Sequence, residues 1–184
     1  MESLVSTQWL AENGDAEDVK ILDASLFLPE MGRTAQAEFE EGHIPGARFM
    51  NLASIADPEA GLPMMLPDDD MFGEAMRALG IDSGDRIVLY DGSPLHSAAR
   101  GWWMLRLFGA EQVAILDGGI AGWQAEGRPL ETGMPVNDAG DFSADADRDG
   151  RDNGWEYFTG TDPQEARHYA DFEIQLVTGK DGQQ

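Results

Sequence analysis

Asp91 stands where a strand hands over to a helix. The apolar run Ile87-Val88-Leu89-Tyr90 ends in this acid, the loop Gly92-Ser93-Pro94-Leu95-His96 follows, and Ser97 opens a helix that carries Arg100. In α/β proteins such a strand–loop–helix junction is the usual place for an anion-binding active site. An enzyme that puts a thiolate there needs a cysteine at the strand end. This chain has no cysteine. It has the frame of a thiol site without the thiol, and disulfides, thiolate metal sites and covalent sulfur chemistry by this chain alone are excluded.

Each residue of the junction has a chemical and a structural reading. Asp91 could serve as general base or metal ligand, or simply accept hydrogen bonds from loop amides. No second acid, histidine or cysteine cluster supports a metal, so no metal and no cofactor is expected and the structural reading is preferred. Gly92, Ser93, His96 and Ser97 could hold an anion with backbone N–H groups ahead of the helix, although Pro94 removes one donor. Arg100 could assist that anion, or pair with Asp23, Asp91 or Asp117. His96 is read as an exposed loop histidine, and His43 as a residue that orders its turn. Trp102-Trp103 reads as core. A hydrolase with Asp91 as nucleophile would need a second nearby acid and a bound Mg²⁺, and Ser93 stands where that acid is expected.

These residues need a parallel sheet behind them. Residues 19–23, 48–52, 86–90 and 113–116 read as strands, with residues 4–6 as a short edge strand. The third and fourth are continuous apolar runs, as strands covered on both faces require. Between them lie helical patterns. Asp68-Asp69-Asp70 feeds acid to a helix N-terminus whose apolar face is Met71, Phe72, Ala75, Met76 and Leu79, and Gly80 stops it. Ser97 is the expected cap of the next helix, which runs to Phe108 and is apolar nearly all round, so it is buried on several sides or lacks a partner surface. Residues 7–12 and 121–126 are shorter helices. Strands alternating with helices predict an α/β domain, a central parallel sheet flanked by helices on both faces, with Asp23, Asp91 and Asp117 at the carboxyl ends of its strands.

The predicted domain covers residues 1–130, and residues 131–184 form an acidic linker or tail. Residues 136–154 are rich in Asp, Gly and Asn and nearly empty of large apolar side chains, which predicts loose packing. Trp155-Glu156-Tyr157-Phe158 is an isolated aromatic cluster expected to dock on the domain, and residues 166–178 could form one more helix.

Composition narrows the partners. The 184 residues carry a formal charge of −23. Such a field repels nucleic acid and anionic membranes, so neither is an expected partner. No apolar run approaches the ~20 residues of a membrane helix. Met1-Glu2-Ser3-Leu4 has no basic segment or long apolar core, so no signal peptide is expected and the default location is the cytoplasm.

Two further segments are specific. Glu41-Gly42-His43-Ile44-Pro45-Gly46-Ala47 joins a helix end to a strand; Pro45 forces Ile44 to be extended and Gly46 permits a positive φ. Leu116-Asp117-Gly118-Gly119-Ile120-Ala121-Gly122-Trp123 leaves the last strand through paired glycines, with Trp123 placed to anchor the next helix. Together with the Tyr90–Asp91 loop, these resemble the rhodanese family of sulfurtransferases over about residues 4 to 130. Asp23-Ala24-Ser25 with Leu28-Pro29, Pro63-Met64-Met65-Leu66-Pro67 and Ala98-Ala99-Arg100-Gly101-Trp102-Trp103 resemble the N-terminal half of two-domain thiosulfate or 3-mercaptopyruvate sulfurtransferases.

The resemblance implies a rhodanese fold without its nucleophile. In that family the C-terminal half carries the cysteine, and Asp91 matches the position the cysteine holds there. The family reaction moves sulfur from thiosulfate or 3-mercaptopyruvate to a thiol or cyanide through a cysteine persulfide. A second domain needs another ~120 residues, and about fifty follow residue 130. The expectation is therefore a non-catalytic, structural domain, truncated or half of a split system, whose partner is a cysteine-bearing rhodanese domain. The alternative is a free-standing rhodanese-like binding or regulatory module.

Overall fold

The two continuous apolar runs form the middle of a parallel sheet. In a computed structural model of the chain, the structure describes residues 1–58 and 61–145. Five strands, β1 (Leu4–Val5), β2 (Val19–Asp23), β3 (Ala47–Phe49), β4 (Arg86–Tyr90) and β5 (Gln112–Leu116), lie in the order β1-β5-β4-β2-β3, every pair parallel. Parallel neighbours need crossovers, and five helices supply them: α1 (Thr7–Asn13), α2 (Ala35–Glu41), α3 (Asp69–Ala78), α4 (Ala98–Leu107) and α5 (Gly119–Ala125). The α/β fold with helices on both faces is as predicted.

Alternation along each strand divides the core in two. Ile87 and Leu89 of β4 pack with α3 and α4 through Phe72, Met76, Met104, Leu105 and Phe108. Val88 and Tyr90 face the other way, onto α1, α2 and α5 through Leu10, Phe39 and Trp123. The helix α3 starts as its sequence predicts, with the Asp68 carboxylate accepting from Met71 N at 2.8 Å.

Three expectations need correction. The strand predicted over residues 48–52 is only Ala47–Phe49; Met50 is already past it, and Asn51 caps a turn through the amides of Ala53 and Ser54. The packed residues run past residue 130. Phe142 is 1% exposed, its ring meets Phe72 edge-on at 6.0 Å, and its carbonyl accepts from Arg77 Nη1 at 2.8 Å. One aromatic side chain suffices to fasten an otherwise polar stretch, because the pocket between α3 and α4 supplies the apolar surface. The loose packing expected from residue 136 therefore does not hold at residues 142–144. Finally, Trp103 on α4 is 45% exposed, so this domain leaves one side of that helix uncovered. The expectations for residues 155–158 and 166–178 lie outside the described residues.

Candidate functional site

Because β2, β4 and β5 are parallel, their carboxyl ends fall on one edge of the sheet. Asp23 ends β2, Asp91 follows β4 and Asp117 follows β5. The three acids share that edge, as the sequence predicts. Between the Asp91 loop and the Asp117–Gly119 turn lies a cleft of about 630 Å³, lined by Asp91, Ser93, His96, Asp117, Gly118 and Leu4 among others.

Asp91 spends its carboxylate on its own backbone. Oδ1 accepts from Ser93 N at 3.3 Å, and Oδ2 accepts from Ala98 N, in the first turn of α4, at 2.6 Å. It thus takes over the capping role that the sequence assigned to Ser97. Ser97 has helical dihedrals and makes no cap; its hydroxyl accepts from Leu26 N at 3.0 Å and ties the loop after β2 to α4. Ser93, buried, donates its hydroxyl to Leu26 O and accepts from Leu95 N at 3.1 Å. Ser25 accepts from Gly92 N at 2.9 Å, and His96 N donates to Ser93 O at 3.1 Å. The amides of Gly92, Ser93, Leu95, His96 and Ala98 are all engaged. The structure brings Gly92, Ser93, His96 and Ser97 together, and it engages the amides of Gly92, Ser93 and His96 with the protein's own oxygens.

Arg100 departs from its expected place. Its Nη2 donates to Met64 O, its Nε is buried without a partner, and it forms no ion pair with Asp23, Asp91 or Asp117. Its guanidinium instead reaches the segment that precedes α3. His96 is exposed, as expected, with φ of 51°, and lines the cleft.

The other motif residues are structural. His43 is 2% exposed, stacks on Phe39 at 3.9 Å and places Nδ1 2.8 Å from Phe39 O. A carbonyl only accepts, so Nδ1 carries the proton. Its backbone exchanges two 2.9 Å hydrogen bonds with Glu131, whose carboxylate accepts from Gly46 N at 2.9 Å. Gly46 has φ of 73°, the positive value its turn requires. Gly42, His43, Pro45 and Gly46 therefore form a clasp that ties the turn before β3 to Glu131. At the other turn, Gly118 and Gly119 have φ of 79° and 55°, and a Cβ on Gly119 would stand 2.5 Å from Asp91 O. Glycine there lets α5 start against the Asp91 loop. Trp123 anchors the end of that helix by donating to Pro129 O at 2.8 Å.

The neighbouring strand ends hold buried ionisable groups. Asp23 is 4% exposed and accepts from Ser25 N at 2.8 Å. Burial pushes its carboxyl pKa up, hydrogen bonds from Ser25 and Tyr90 pull it back, and the negative charge of Asp91 adds to the rise. Burial also drives the Tyr90 hydroxyl well above its usual range, with the charge of Asp23 adding to the rise. Tyr90 in turn accepts from Ile44 N at 3.3 Å, joining the strand end to the clasp.

Sequence reasoning missed Arg33. It lines the cleft, lies 3.9 Å over the Phe27 ring and pairs with Glu38 at 2.6 Å. Nothing in its local sequence marks it. Among the described residues no group of three or more His, Cys, Asp or Glu is arranged to hold a metal, and no helix is long and apolar enough to cross a membrane.

Comparison with known proteins gives the same picture. The rhodanese-like domain family matches residues 6–126. The 3-mercaptopyruvate sulfurtransferase of Escherichia coli K12 is 43% identical over 141 residues, which cover 76% of this chain and 50% of that protein. Thiosulfate/3-mercaptopyruvate sulfurtransferase 1 of Arabidopsis thaliana, named as mitochondrial, is 46% identical over 131 residues, 71% of this chain and 35% of that protein. The crystal structure of the E. coli 3-mercaptopyruvate sulfotransferase SseA superposes with a TM-score of 0.74 at 41% identity, covering 78% of this chain and 55% of that chain. The chain thus spans about half or less of the length of these relatives.

Proposed function

Since this chain belongs to the rhodanese family, we propose that it is a sulfurtransferase domain that carries no sulfur itself and serves as the structural partner of a cysteine-bearing rhodanese domain. One observation carries the reading. The strand-end position is held by the Asp91 carboxylate, which is bonded to the first turn of α4, in a chain without cysteine. Sulfur transfer needs a group that attacks the sulfane sulfur, holds it as a persulfide and releases it. A carboxylate does none of these. The amides of Gly92, Ser93, Leu95, His96 and Ala98, already engaged by the protein's own oxygens, are not free to hold an anionic donor.

The coverage of its relatives supports the second half of the proposal. A chain that matches one half of a two-domain enzyme completes its work against the other half, on the same polypeptide or in trans. In this reading the reaction at the partner's cysteine is sulfur transfer from 3-mercaptopyruvate or thiosulfate to a thiol or cyanide. The test is to assay the purified chain with each donor and cyanide, alone and mixed with a separately expressed cysteine-bearing rhodanese domain. Turnover in the mixture well above that of the cysteine-bearing domain by itself is expected. If the mixture is no faster than that domain, the chain is instead a free-standing module.

A further inference from the structure

Residues 138–144 close over the loop between α3 and β4, at the amino ends of the strands and away from the Asp91 edge. Their attachments are mostly backbone. Gly140 N donates to Arg77 O at 2.8 Å, Ser83 N to Asp141 O at 3.2 Å, Asp141 N to Asp82 Oδ1 at 2.5 Å and Ser143 N to Ser83 Oγ at 2.9 Å. Phe142 and Ala144 are the buried side chains of the segment, and Asp138, Asp141 and Ser143 are exposed. Phe142 alone brings a large apolar surface to the contact.

The two sides of this contact carry charge of the same sign. The segment has Asp138 and Asp141 and no base, and the loop beneath it has Asp82 and Asp85. Burial pushes the Asp85 carboxyl up and the negative charge of Asp82 adds to the rise, while Lys20 and Arg48 oppose it. Arg77 gives its Nη1 to Phe142 O and Arg48 its Nη1 to Gly80 O, at 2.8 and 3.0 Å, so both guanidinium groups meet carbonyls at this seam. The chain has 35 acids against 12 lysines and arginines, so most of its carboxylates have no cation of their own. Like charges across a contact repel, and salt screens the repulsion. The Debye length is roughly 30 Å at 0.01 M and about 3 Å at 1 M. In dilute buffer the whole acidic surface acts on the segment, and in strong salt only its immediate neighbours do.

We propose that residues 138–144 are a strap whose closure depends on ionic strength: it seals the groove between α3 and α4 when salt screens Asp138 and Asp141 from Asp82 and the surrounding acids, and it opens in dilute buffer while the sheet stays folded. Burial of Phe142 and the backbone hydrogen bonds favour closure at every salt concentration. The repulsion of the two strap carboxylates opposes closure only where it is unscreened. Local opening is available because the strap adds no strand to the sheet and lies after the last helix, so its release breaks none of the ladder. Opening uncovers the apolar groove that Phe142 fills, with Phe72 and Phe108 in its wall. The salt change that frees the strap therefore also exposes an apolar surface on the domain.

Hydrogen exchange read by mass spectrometry tests this on the full chain at one pH, in about 0.01 M and about 1 M NaCl. Peptides covering residues 138–144 and 86–90 are followed, each relative to the same peptide of the unfolded chain in the same salt. The double variant Asp138→Asn with Asp141→Asn removes both strap charges at exposed positions and keeps the backbone hydrogen bonds. In the wild type, strap exchange is expected to slow about tenfold in strong salt, with residues 86–90 unchanged. The double variant is expected to exchange slowly at both concentrations, with a change under about twofold. Strap exchange in the wild type that ignores salt overturns the proposal. So does a salt effect that residues 86–90 share in equal measure, which makes the whole domain the responding unit. A wild-type salt effect that the double variant reproduces shows that the carboxylates do not drive it, and overturns the proposal as well.

Discussion

Asp91 Oδ2 lies 2.6 Å from the backbone N of Ala98, seven residues further along the chain. A side chain at the end of β4 therefore caps α4 across the whole intervening loop. The consequence is chemical as well as mechanical. The amide that an anion would meet first at that helix end is already bonded to a fixed carboxylate, which also adds negative charge where a helix N-terminus favours it.

Removing that carboxylate exposes its structural share. Asp91→Ala is expected to cost about 1–2 kcal/mol, the range of a lost N-cap. Asp91→Asn, which keeps an acceptor oxygen, is expected to cost less. Urea unfolding of the two variants checks this, and equal midpoints for wild type and Asp91→Ala would remove the cap from the account.

A cysteine in the same position gains little. Asp91→Cys loses the cap, faces a loop whose amides are turned inward, and has no donor at Pro94. The acidic surface also opposes anionic sulfur donors. A misplaced site commonly loses orders of magnitude in rate. Thiocyanate formation by Asp91→Cys from thiosulfate and cyanide is expected to stay near the blank.

Phe142→Ala is expected to destabilise the domain by about 3–5 kcal/mol, the cost of emptying a buried phenylalanine site. The pocket that loses its filling is the one made by Phe72 and Phe108, whose rings stack at 4.2 Å. Chemical denaturation reads this directly, and a change within about 0.5 kcal/mol, typical of surface substitutions, would show the residue to be peripheral.

The buried Asp23 gives the domain a pH dependence of known sign. Its folded pKa is raised above the ordinary 3.8, mainly by burial. A raised carboxyl binds its proton more tightly in the folded state. Its contribution is fully present below 3.8 and lost as pH rises through the folded value. Asp23→Asn removes the ionisation and keeps an oxygen for Ser25 N. The stability of the variant relative to wild type should therefore rise with pH across that window. A difference between the two that does not change with pH from the acid side to neutrality would contradict the burial of an ionising Asp23.

Much of this was legible in the sequence, for physical reasons. Residues 86–90 and 113–116 are apolar throughout because helices cover both their faces. The three aspartates fall on one edge because parallel strands bring their ends together. The Gly42–Gly46 clasp and the paired glycines at 118 and 119 are local turns with local signatures. Long-range choices were not legible. Ser97 has the chemistry of a cap, yet Asp91 reaches the amide because the loop folds back on itself. Phe142 stands among acids and glycines, and only the groove between α3 and α4 explains its burial. The place of Arg100 in the first turn of α4 suggests an anion in the loop or an acid at a strand end as its partner, but packing brings it to Met64 O instead.

On the function proposed above, this domain holds the rhodanese frame without carrying sulfur. Its most direct test is the intact mass of the chain after incubation with 3-mercaptopyruvate or thiosulfate, in the presence of a cysteine-bearing rhodanese domain and without added acceptor. An unchanged mass is expected for this chain, with a gain of one sulfur atom on the cysteine-bearing domain. A gain of one sulfur atom on this chain would contradict it.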